Sequence, residues 1–224
     1  MILNFKELQI GLTNRCRLLC YECPRTAIEG RYFTSLFDLD IEYFKSFLAK
    51  CNPEIIFFCG TWGDPIYARD FVGLCRSLKN QYPNIKLMIN TNGTGKTAEW
   101  WEELMQVLTD RDIIMFSIDG TPDNFNTYRV NAKWEDLETA VTTCVKHKQK
   151  NNKKTELHWK YLVFSYNQDT IMSAYELSKS MGFDQFFLQK SLVRTGEGTE
   201  WLKPTRPHDE IEKEFNARKS NTLL

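Results

Sequence analysis

Apolar positions along the chain fall into short, nearly continuous runs, separated by stretches in which they recur every three or four residues. The runs are "LQIGL" (8–12), "EIIFFCG" (54–60), "KLMIN" (86–90), "IIMFSI" (113–118), "HWKYLVFSY" (158–166) and "DQFFLQ" (184–189). They are rich in Ile, Phe, Val and Tyr and predict parallel strands covered by helices, because a strand buried on both faces has no polar side to alternate with. Between them, Ile41, Phe44, Phe47, Leu48 and Cys51 share one face of a helix over 38–51. Trp134, Leu137, Val141, Cys144 and Val145 do the same over 134–146.

Strands that alternate with helices imply parallel βαβ units. Six units suit 224 residues, whereas a complete eight-unit barrel takes roughly 250. The expected fold is therefore α/β, a partial (β/α)6 TIM-like barrel of parallel strands with outer helices; an open doubly wound sheet is the alternative. After Leu192 the pattern breaks into "VRTGEGTEWLKPTRPH", followed by a helix in which "DEIEKEF" leads and "NARK" closes, charges that suit its dipole. This predicts a barrel domain over 1–192 and, over 193–224, a loop and short helix that pack on or close it.

Charge narrows the partners. Lys plus Arg and Asp plus Glu number 29 each, which gives no overall pull toward nucleic acid or an anionic membrane. The run "KHKQKNNKK" (146–154) ends a helix and is read as a solvated face. No stretch approaches the ~18 apolar residues of a membrane helix, and the N-terminus lacks the pattern of a signal peptide. Seven cysteines is an odd count, so a reduced, cytoplasmic protein is expected. Cys51, Cys75 and Cys144 fall on apolar helix faces and Cys59 closes a strand; all four are read as core. His147, His158 and His208 show no metal-ligand spacing, and His147 and His208 read as surface residues.

The remaining cysteines, Cys16, Cys20 and Cys23, stand together in "CRLLCYEC". A tetrahedral zinc site or an electron-transfer iron–sulfur cluster normally takes four protein ligands. No fourth is at hand locally. Either a distant residue completes a zinc site, or a four-iron cluster is left one ligand short for an exogenous group. Polar, glycine-rich sequence also gathers where the strands end: "GLTNRC", "FCGTWGDP", "INTNG" and "FSIDG". In barrels of this kind that rim carries the chemistry.

"CRLLCYEC" after a first strand resembles the CxxxCxxC signature of the radical S-adenosylmethionine (radical SAM) superfamily. The resemblance implies a [4Fe-4S] cluster on Cys16, Cys20 and Cys23, with S-adenosylmethionine chelating the open iron. Reductive cleavage would then give a 5′-deoxyadenosyl radical that abstracts hydrogen from a substrate. "GTWGDP" (60–65) resembles the family's GGEP-like loop, which assigns Gly63 and Asp64 to the methionyl amino group. "SIDG" with "YR" resembles the SPASM and Twitch relatives, which assigns Ser117 and Arg129 to the methionyl carboxylate. Asn90, Thr91 and Asn92 of "NTNG" are further candidates for the ribose or amino end, although Asn92-Gly93 is also ordinary turn chemistry. The implied partners are a reductant such as flavodoxin or ferredoxin, and a peptide or protein side chain, small metabolite or nucleotide as substrate. Segment 24–37 and the tail after Leu192 are the expected gates.

The pattern also departs from the family. Glu22 stands where an aromatic residue is usual, with Tyr21 beside it, and Trp62 and Asp64 replace the loop's customary glycine and glutamate. No cysteine follows Cys144, so these residues supply no auxiliary cluster of the SPASM or Twitch type. The rival readings are a non-enzymatic zinc module on the Cys20/Cys23 pair and a degenerate member acting as a binding partner. A P-loop is a third, but "NTNGTGKT" has Asn90 where that motif needs glycine.

Overall fold

The computed structural model describes residues 5–27, 35–51, 53–191 and 199–221. Six strands pair in parallel and in chain order: β1 (Glu7–Ile10), β2 (Ile55–Phe58), β3 (Lys86–Thr91), β4 (Ile113–Ser117), β5 (Glu156–Val163) and β6 (Gln185–Lys190). A doubly wound sheet reverses its strand order part-way. The sequential order therefore selects the partial barrel over that alternative. The helices are α1 (Pro24–Ala27), α2 (Ile41–Leu48), α3 (Phe71–Gln81), α4 (Ala98–Val107), α5 (Trp134–Asn151), α6 (Ile171–Ser180) and α7 (His208–Asn221).

Local chemistry sets where the helices begin. Asp40, Asp70 and Thr97 cap α2, α3 and α4, their side chains accepting from the backbone N–H of Tyr43, Gly73 and Trp100. Thr97 is the threonine of "GTGKT", so that segment starts a helix by capping it. The ammonium of Lys96, beside it, lies over the rings of Tyr67 and Trp100. Strand β1 ends at Ile10, short of the expected Leu12, because the chain turns to place Thr13 in an antiparallel bridge with Asp38.

The two faces of the sheet differ in kind. On the outer face, Phe58, Ile89, Ile114 and Leu157 form one lateral row. They pack in a single core with Trp101 and Leu104 of α4 and with Leu137 and Cys144 of α5. Full burial of such side chains contributes about 1.5–3 kcal/mol each. On the inner face, one row holds Asn90, Met115 and His158, and the next holds Ser117, Lys160 and Phe187. This side is more open, with Phe187 44% exposed.

Cys51, Cys75 and Cys144 are buried, whereas Cys59 is only half-buried and takes a hydrogen bond from the Thr61 hydroxyl. The surface assignment of two histidines is corrected. His147 lies on the inner face of α5, 4% exposed, with Nδ1 2.9 Å from Glu102 Oε1 of α4. His208 is half-buried at the start of α7, 3.7 Å from Glu212. Beyond β6, Leu202 is buried against Tyr128 and Phe164, and its carbonyl accepts from Ser165 N at 3.1 Å. Ile211 and Phe215 of α7 are buried as well. No helix among the described residues is long and apolar enough to cross a membrane.

Candidate active site

Glycine at position 63 is a requirement of packing. A Cβ there would stand 2.3 Å from Thr13 O and 2.8 Å from Arg15 O, closer than real Cβ atoms approach. The loop after β2 thus lies directly on the chain that leads from β1 to the cysteines, and Asp64 N donates to Arg15 O at 2.9 Å. On its other side, the cysteine segment pairs with the chain after β4. Leu19 N donates to Val130 O at 3.0 Å and Tyr21 N to Tyr128 O at 3.1 Å. These two bonds bring Arg129 beside Cys20. Arg17 adds an ion pair to Asp136 of α5 at 2.9 Å, and the same carboxylate oxygen accepts from Gly95 N.

All ten residues selected from the sequence line one cavity at the carboxyl rim of β1 to β5. Cys16, Cys20 and Cys23 lie on one wall with Gly63 and Asp64; Asn90, Thr91, Asn92, Ser117 and Arg129 complete it. Glu22 also lines it, in the left-handed conformation (φ 56). Tyr21 turns away and meets Trp201 edge-on at 5.3 Å. Two lining residues, Lys160 and Leu162, escaped sequence reasoning. Their signal was the period-2 alternation in "HWKYLVFSY", where Trp159 and Tyr161 are buried on the outer face and Lys160 and Leu162 are therefore turned inward. Of the expected gates, residues 28–34 and 192–198 lie outside the described residues.

Several of these side chains serve one another. The Asp64 carboxylate accepts from Ile66 N (3.2 Å), Asn92 N (2.7 Å) and Asn92 Nδ2 (2.5 Å). Burial nevertheless pushes its pKa up to about 6. Ser117 donates to Asn90 Oδ1 at 3.1 Å. Asp119, which ends the "SID" run, has Oδ2 2.7 Å from Arg129 Nη2 and accepts from Leu162 N at 2.9 Å. Arg129 Nε is buried and has no hydrogen-bond partner among the described residues. Burial also raises the thiols of Cys16 and Cys20, to about 11 and about 12.

The family model of the Radical SAM superfamily matches residues 10–185. The chain belongs to the radical SAM superfamily. That membership makes it an enzyme, with a [4Fe-4S] cluster and S-adenosylmethionine as its cofactors. This radical SAM chain is similar in fold to native anSMEcpe with bound AdoMet, with a TM-score of 0.70 and 19% identity over 98% of this chain and 62% of that one. It is similar also to Streptococcus suis SuiB bound to S-adenosylmethionine, with a TM-score of 0.71 and 13% identity over 99% of this chain and 49% of that one. It thus spans less than two thirds of the length of either. Comparison with curated proteins gives no match.

The residues present suit these cofactors. Among the described residues, no three His, Cys, Asp or Glu are grouped to hold a single metal ion. The three thiols line one cavity and act on one another electrostatically, as neighbouring ligands of one cluster do. Cys16 Sγ already has two N–H groups at 3.5 Å, from Leu18 N and Asn92 Nδ2, donors of the kind that tune cluster potentials. The unpartnered Arg129 Nε is a donor for a carboxylate. Raised thiol pKa values mean that loading a cluster releases protons.

Proposed function

We propose that this chain cleaves S-adenosylmethionine reductively at a [4Fe-4S] cluster on Cys16, Cys20 and Cys23, and that a substrate hydrogen atom is removed in the same cavity. Its support is the convergence of the cysteine segment with the ends of β2, β3, β4 and β5 on one cavity. When bound, the cluster supplies one electron, and S-adenosylmethionine supplies the 5′-deoxyadenosyl radical that takes the hydrogen.

The protein's own part is positioning and exclusion of water. Arg129 and Ser117 receive the methionyl carboxylate, the arginine through charge-assisted hydrogen bonds. Gly63 and Asp64 line the place of the amino group, with Asn90, Thr91 and Asn92 toward the ribose. Asp64 acts chiefly by fixing Asn92 and the loop, since its oxygens are already engaged. Residues 1–192 form the catalytic barrel, and 193–224 are a loop and short helix that pack on or close it. The electron comes from a flavodoxin- or ferredoxin-like reductant. The substrate is a peptide or protein side chain, a small metabolite or a nucleotide; a peptide is favoured by SuiB, which is solved bound to its precursor peptide SuiA.

Anaerobic reconstitution with iron and sulfide, followed by reduction with S-adenosylmethionine, tests the reading. A brown protein that releases 5′-deoxyadenosine is expected. Cys16→Ala, Cys20→Ala and Cys23→Ala should each abolish that release, and full activity in all three would sink the assignment. Deuterium carried into 5′-deoxyadenosine then identifies the substrate class.

A further inference from the structure

Lys160 is a cation that the fold does not need. It lies mid-strand in β5 on the inner face, between Ser117 of β4 and Phe187 of β6 in one lateral row, and it lines the cavity. Among the described residues, no carboxylate forms a salt bridge with it. The nearby acid is Asp119, whose Oδ1 accepts from Leu162 N at 2.9 Å and whose buried Oδ2 stands 2.7 Å from Arg129 Nη2 as an ion-pair partner, with no hydrogen bond of its own among the described residues. Two cations therefore share one carboxylate on this wall. Burial and the neighbouring guanidinium both lower the lysine's pKa, as expected of an ammonium held out of water with no counter-charge of its own. A methionine or leucine would fill the same space at no such cost.

The strand order says which ligand this charge serves. The cysteines, Asp64 and Asn92 stand on the β1–β3 side, while Lys160 is on β5, the last strand to line the cavity. Past it, the inner face continues to Phe187 and Gln189, both exposed. That open half is the side left for a substrate. We propose that Lys160 is the receptor for an anionic group of the substrate, a carboxylate or a phosphate. The inference rests on the reading of Ser117 and Arg129 as ligands of the cosubstrate carboxylate, which leaves Lys160 for the second molecule.

Calorimetric titration of the cluster-loaded protein with inorganic phosphate and with acetate tests it, with and without S-adenosylhomocysteine in the cosubstrate position. Wild type should bind one probe or both; phosphate preferred over acetate assigns a phosphate ester, and the reverse a carboxylate. K160Q and K160M should weaken that binding at least ~tenfold, the loss of one charge-assisted contact, while K160R keeps it and S-adenosylhomocysteine affinity stays at the wild-type value. Two variants guard against one that folds poorly. Wild type that takes up neither probe, or K160Q and K160M that bind them like wild type, overturns the proposal. So does a parallel loss of S-adenosylhomocysteine affinity, which would move Lys160 to the cosubstrate. If wild type fails to bind S-adenosylhomocysteine at all, the cosubstrate reading fails, and the titrations made without it still judge Lys160.

Discussion

Asn92 can be oriented in one way only. Its Oδ1 accepts from Thr94 N at 2.9 Å and from the Thr94 hydroxyl at 2.6 Å, so its NH2 must face Asp64 and the Cys16 sulfur. Asn92→Ala removes an N–H from that sulfur and a partner from a buried carboxylate. The cluster's reduction potential should move negative in a redox titration followed by electron paramagnetic resonance, and the apo protein should lose about 1–3 kcal/mol in denaturant unfolding. Asp64 adds a pH dependence. Its pKa is raised by burial from 3.8 to about 6, so the folded state binds a proton that the unfolded state has released. The stability contributed by the neutral acid is complete below pH ~4 and lost as pH rises through ~6, on the order of 3 kcal/mol in all. Asp64→Asn should flatten that part of the stability–pH curve of the apo protein. At this scale sequence reasoning selected residues that the fold gathers on one cavity, but not the bonds among them. Asn92-Gly93 forms a turn, with Gly93 at φ 74, and Asn92 also lines the cavity. Lys160 was missed because a lysine in a strand reads as solvent-facing until the neighbouring strands are in register.

Elements were more legible than residues, for a physical reason. Strands buried on both faces write continuous apolar runs, so all six strands were visible, and sequential βαβ units left few ways to order them. Helix faces were read less completely. His147 follows Cys144 by three positions on α5, the spacing of one face, but the lysines around it suggested solvent, and its partner Glu102 belongs to another helix. The contact between the β1 and β2 loops could not be read at all, because it joins segments some fifty positions apart. Gly63→Ala tests it. With a Cβ 2.3 Å from Thr13 O, one loop must shift, at a cost of about 1–3 kcal/mol. Reconstituted protein should show reduced iron content and a broadened cluster spectrum; unchanged iron and stability would mean that the loops part easily.

At the scale of the molecule, the last described segment is part of the core. Phe215 meets Tyr175 at 5.5 Å and Phe186 at 5.6 Å between ring centroids, and Gln168 exchanges two hydrogen bonds with Thr205. Phe215→Ala should cost about 3–5 kcal/mol, read from the denaturation midpoint. The docking face of α7 was hidden in the sequence, because Ile211 and Phe215 are the only apolar pair on a strongly charged helix. The same long-range joints that shape the cavity also impose a sequence of events in time. Cys16 gains its Asn92 donor, and its segment gains a seat on Gly63, only after β1, β2 and β3 have come together. Cys20 gains Arg129 as neighbour only when the chain beyond β4 has paired with it. For the proposed cluster this predicts an order of maturation: the polypeptide folds first and receives its iron afterwards, into a cradle already set.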